Sequence, residues 1–130
     1  MKATEMSLLL NAIALGDNRR LGDTEDEQRV IIAWWLDKIG DLDYAGALQA
    51  VRDHQRESTE YLTAAHIRQR VKDNRELALG RAAFRLRNLR PPEELDDDPV
   101  AQRRWIDARL AEAAGIAPAP EPRRELGAGR

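Results

Sequence analysis

The sequence predicts an all-α protein: a small bundle of about four helices, then a hinged short helix and a tail. Three observations carry this. Apolar residues recur at helical spacing in successive segments, helix-capping signals stand where those segments begin, and no stretch alternates as a strand would. The expected organisation is a helical bundle over residues 1–90 with a basic fourth helix. An acidic linker, a short amphipathic helix and a disordered Pro/Ala-rich tail are expected over 91–130.

The first helix is expected over 4–15, where Met6, Leu9, Leu10 and Ile13 keep helical spacing, with Gly16 near its end. The loop "DNRRLGD" follows. Thr24 and Glu27 then form the S/T-x-x-E pattern of a capping box, which opens a second helix over 25–39. Val30, Ile31, Ile32, Trp34, Trp35, Leu36 and Ile39 make that helix apolar on nearly every side, so it is expected to be central and buried. Two adjacent tryptophans on a helix point well apart, which leaves one of them a candidate surface anchor. Gly40 suits a left-handed C-terminal stop.

Asp43 can cap a third helix over 44–57, in which Tyr44, Ala47, Leu48 and Val51 form the apolar stripe. Thr63 caps the fourth. Leu62 and Ile67 flank that start at the spacing of a hydrophobic staple. The fourth helix can extend to residue 89 along Ile67, Val71, Ala78, Ala82, Leu86 and Leu89. Its packed part is expected to end near 76–80, where Gly80 weakens it, and Pro91–Pro92 stop it. After "EELDDDP", Asp98 and Pro99 can start a fifth helix anchored by Trp105, Ile106 and Leu110 and stopped by Gly115.

Charge is unevenly distributed. Residues 1–65 carry net −5, residues 66–90 net +6 and residues 91–130 net −3, so the overall −2 conceals a basic block between two acidic ones. The chain has no cysteine, which removes disulfide, thiolate-metal and Cys-nucleophile chemistry. No apolar run approaches membrane-spanning length and "MSLLLNAIAL" lacks the features of a signal peptide, so a soluble, cytoplasmic protein without membrane association is expected.

Signals for catalysis are poor. His54 and His66 are twelve residues apart on different expected helices, and no His/Asp/Glu set has metal-ligand spacing. Neither G-x-x-x-x-G-K-[ST] nor G-x-G-x-x-G occurs, and the acidic linker lacks the ligand series of a calcium loop. The expectation is a non-enzymatic protein with no cofactor and no metal.

Two features point toward binding. Arg68, Lys72 and Arg75 share one face of the fourth helix, with Arg70 pointing elsewhere. This set can be a solvated or intramolecularly paired face, a contact for an acidic protein partner, or a phosphate-neutralising stripe on the second helix of a helix-turn-helix-like DNA binder. The link before it lacks the turn glycine of that motif. Trp105, Ile106 and Leu110 on the fifth helix can either fold back onto the bundle or dock in a partner's groove.

These segments resemble a known family. A first helix of "LLLNAIAL" type, the Trp-bearing "IIAWWLDKIG", the acidic-aromatic start and Ala/Leu/Val stripe of "DLDYAGALQAVRDH", and "LTAAHIRQRV" with its Ile67–Arg68 pair are similar to phage replicative-helicase loader and inhibitor proteins. The likeness covers residues 5–72 and extends to actinobacterial and phage proteins. The family's proline before the last of these helices is missing from "ESTEYLTAA", and residues 91–130 have no counterpart. The resemblance implies a small helical N-terminal domain and a flexible C-terminal region. It implies binding to a hexameric DnaB-type helicase and its delivery to an origin complex through an initiator protein, with no nucleotide site. From that layout, Trp105, Ile106 and Leu110 are expected to engage the helicase.

Overall fold

The computed structural model describes residues 1–116. It contains helices α1 (Ala3–Asp17), α2 (Glu25–Ile39), α3 (Tyr44–Glu57), α4 (Ala64–Arg85) and α5 (Pro99–Ala114), with a single 3-10 turn at Glu93–Leu95. There is no strand among the described residues, and the all-α expectation holds. The expected tail lies outside the described residues. The chain divides into two compact units within α4: the first is Met1–Asn74 and the second begins at Arg75.

In the first unit α1 packs against both α2 and α3. Its buried row is Met6, Leu9, Leu10 and Ile13. They meet Trp35 and Ile39 of α2, Ala47, Ala50 and Val51 of α3, and Leu62, Ala64 and Ile67 at the start of α4. The expectation of a central α2 is overturned. Only Trp35 and Ile39 of that helix are buried. Ile31, Ile32 and Leu36 are half-covered, while Val30 and Trp34 are exposed. A helix can bury its whole circumference only if neighbours surround it, and here α1 takes the position between two helices.

The N-terminal caps form where the sequence places them. Glu27 N donates to Thr24 Oγ1 at 3.1 Å, and Glu27 Oε2 accepts from the backbone of Asp23 and Thr24. Asp43 Oδ2 accepts from Gly46 N at 2.8 Å, and Asp98 Oδ1 from Ala101 N at 3.0 Å. α4 uses a variant: His66 N donates to Thr63 Oγ1, and Thr63 N donates to His66 Nδ1. His66 thus occupies the place that Glu or Gln takes in a capping box. Leu62 and Ile67, both buried, form the expected staple.

Three helix ends differ from expectation. α1 runs past Gly16 and stops at Asn18, which adopts the left-handed conformation at φ 57°. Gly16 instead leaves room for the Gln55 amide, which lies across it and donates to Ala12 O at 3.0 Å. Gly40 stays right-handed, because the chain winds on into a further turn closed by Leu42 N to Ile39 O. α4 ends at Arg85, short of residue 89, and a turn closed by Leu89 N to Leu86 O follows.

The second unit is thinly packed. Ala82 is its one buried hydrophobic residue among those described, and α5 buries none. The acidic linker has local order. Its 3-10 turn is tied to α5 by the Gln102 amide, which donates to Leu95 O and Asp96 O. Gly115 ends α5 in the left-handed conformation expected of it, at φ 71°.

Candidate partner-docking site

Adjacent residues on a helix are separated by about 100°, so burying Trp35 turns Trp34 outward. Trp35 is 7% exposed and Trp34 52%, and their rings meet edge to face at 5.5 Å between centroids. Trp34 thereby becomes one wall of a cleft of about 300 Å³. Ile31 and Trp35 line it from α2. Tyr61, Leu62, Thr63 and Ala64 line it from the link into α4, and Arg19 comes from the loop after α1.

Arg19 assembles this wall. Its guanidinium sits 3.9 Å from the Tyr61 ring centroid and 5.8 Å from that of Trp35. Nη2 donates to Leu62 O at 2.5 Å, which clips the Tyr61–Leu62 strip to the end of α1. Nε and Nη2 both reach the Asp17 carboxylate. The Arg19 side chain is only 9% exposed, so this pairing supplies the neutralisation a covered guanidinium requires. The Arg19 hydrogen bond holds the Asp17 carboxyl below its ordinary range, outweighing the opposing effect of burial.

The outer rim is apolar and aromatic. Tyr61 is 61% exposed, and Val30, one turn before Trp34, is also open. Val30 and Ile31 line a second hollow with Gly22, Asp26 and Glu27, so apolar surface continues along α2. The Lys38 ammonium stands 5.6 Å from the Trp34 ring centroid. Exposed Trp and Tyr beside a fixed Arg are the residue types that anchor protein interfaces, since each offers a large apolar face and a polar edge.

The basic set of α4 is partly neutralised within the protein. Arg68 forks onto Asp41 at 2.6 and 3.0 Å and donates to Lys38 O, and this pairing lowers the pKa of the Asp41 carboxyl. Arg70 reaches Glu57 of α3 at 2.8 Å. Lys72 and Arg75 are exposed and make no ion pair among the described residues. The structure therefore separates the four cations into two that tie helices together and two that face solvent.

Trp105, Ile106 and Leu110 lie on α5 as expected and are each half-buried, with the Arg109 guanidinium 5.7 Å from the Trp105 ring centroid. The two histidines, on different helices as the sequence placed them, come together in the fold. Their rings stack at 4.9 Å between centroids, and the nearly buried His54 bonds Glu60 O through Nε2 at 2.7 Å. The pair braces the link that carries Tyr61. Among the described residues, no group of three or more His, Asp or Glu side chains could hold a metal ion. No helix there is long and apolar enough to cross a membrane. Comparison with family models, curated proteins and solved structures returns no match for the chain.

Sequence reading alone missed Arg19 and Tyr61. Arg19 sits in what reads as an ordinary loop, and nothing local signals that its side chain crosses to Leu62, 43 residues away. The Trp34–Trp35 pair was the one legible signal, because helical geometry requires one of the two to face away from the other.

Proposed function

We propose that this protein is a non-enzymatic adaptor that acts by docking on another protein, and that within this class it is a helicase-loader-like factor for DNA replication. The observation that carries the adaptor reading is the exposed Trp34–Tyr61 cleft, in which Arg19 stacks on Tyr61 and bonds Leu62 O. A pre-organised aromatic surface binds without first losing side-chain freedom, so more of its contact energy appears as affinity. The partner's identity, a DnaB-type replicative helicase delivered to an initiator complex, rests on the resemblance of residues 5–72. The cytoplasm of a bacterial host is the compartment that reading implies. α5, with Trp105, Ile106 and Leu110, is assigned a second contact, joined to the first only through the chain.

The test is a nuclease-treated pull-down from source-cell lysate with the wild-type chain, Trp34→Ala and Trp105→Ala. Stoichiometric recovery of the replicative helicase by the wild type, with at least about tenfold less by Trp34→Ala, is the expected result. Thermal unfolding of both variants should stay near that of the wild type. Absence of the helicase from the wild-type eluate would defeat the loader assignment.

A helix-turn-helix-like DNA binder using Arg68, Arg70, Lys72 and Arg75 is the second reading, supported by the exposed Lys72 and Arg75. It ranks lower because Arg68 and Arg70 already hold carboxylates. It predicts duplex binding that weakens steeply with salt and falls on Lys72→Ala.

A further inference from the structure

We infer that the outer face of α1 is a self-association seam at which two copies of this chain pair about a two-fold axis. About a third of the chain is charged, yet residues 6–16 carry no charge at all. Met6, Leu9, Leu10 and Ile13 explain one side of that run, because they fill the core. They do not explain the other. Thr4, Leu8, Asn11 and Leu15 lie on the opposite side of the helix, all exposed, with Leu8 at 57% and Leu15 at 86%. Of the two helices packed on α1, α3 presents Gln49, Arg52 and Arg56 on its outer side, whereas α2 opens Val30 and Trp34, which already line the hollow and the cleft described above. Leu8 and Leu15 therefore leave an uncharged strip with two open leucines, the kind of surface that marks an interaction site.

The pattern of the stripe selects the occupant. Its spacing of four, three and four residues is that of a heptad seam, in which each position meets its counterpart on a partner helix. Asn11 stands at its centre. Once covered, its amide must find both a donor and an acceptor, and an apolar partner helix offers neither. A second copy in parallel register brings Asn11 opposite Asn11, and the amide is complementary to itself. A two-fold axis also places Leu8 on Leu8 and Leu15 on Leu15. A single buried Asn in such a seam fixes register and limits the assembly to a small number of chains. The stripe is short: α1 extends only about 22 Å at 1.5 Å per residue. One such helix pair covers less than the roughly 1,200 Å² of a standard stable interface, so the association is reversible.

The experiment is sedimentation equilibrium of the full chain from low-micromolar to near-millimolar concentration. A monomer–dimer equilibrium is expected. Leu8→Glu or Leu15→Glu should weaken it by at least about tenfold with the circular-dichroism melt unchanged, and Trp34→Ala should leave it intact. Asn11→Asp and Asn11→Lys should each be monomeric alone and form a dimer when mixed, a signature only a homotypic Asn11 contact gives. A chain that stays monomeric throughout would overturn the inference. So would a dimer that survives the Leu8 and Leu15 changes but is lost on Trp34→Ala, or a charge-swapped mixture that fails to pair.

Discussion

The two units of this chain are both helical but are held by different means. The first gathers twelve buried apolar residues from four helices and the link before α4. The second has Ala82 as its one buried hydrophobic among the described residues, and its helices depend on caps, local turns and half-buried contacts. Hydrophobic burial scales with the area removed from water, at roughly 25 cal/mol per Å². The first unit therefore has a cooperative core, and the second sits at the low end of local stability, where segments open most readily. A pre-formed aromatic cleft belongs on the former. The proposed α5 contact draws on the latter.

The largest effect expected to separate them comes from core truncation. Ile67→Ala removes a fully buried side chain and should cost about 2–5 kcal/mol. Leu110→Ala, at a half-buried site, should cost less than about 1.5 kcal/mol. Urea unfolding with amide hydrogen exchange reads both. Equal costs, or α5 amides as protected as those of α1, would break the comparison.

Next in size is the Arg19–Asp17 pair that holds the cleft. Asp17→Asn should destabilise the first unit by about 1–3 kcal/mol at neutral pH, since it leaves a covered guanidinium without its carboxylate. The folded pKa of Asp17 lies below 3.8, its ordinary value. Folding thus favours the ionised form. The stability from this group is fully present above that ordinary value and is lost as pH falls through the lower folded value. Melting temperature followed below pH 4 should fall more steeply for the wild type than for Asp17→Asn. Parallel curves would remove Asp17 from the account of acid lability.

The smallest expected change is a gain in the weaker unit. Gly80 lies within α4, and a Cβ there would meet nothing within 4 Å. Gly80→Ala should stabilise the distal part of α4 by about 1 kcal/mol. Slower exchange of amides around residues 78–84, with the unfolding midpoint of the first unit unchanged, would sharpen the division. A shift of that midpoint would show that the two units unfold together.

The sequence by itself determined what is local. Thr24, Asp43, Thr63 and Asp98 start helices because their side chains satisfy backbone N–H groups a few residues away, and that chemistry is complete within one turn. The core row of α1 was legible because helical spacing gathers it on one side, but in α3 only Ala47 and Val51 of the expected row are buried, joined by Ala50 and His54. What only the tertiary structure decided concerns neighbours distant in the chain. It placed α1 rather than α2 between two helices, turned Trp34 outward, clipped Arg19 to Leu62 and stacked His54 on His66. The physical reason is that apolar periodicity states which side of a helix can be buried, whereas which sides are buried depends on how many neighbours a chain of this length can provide.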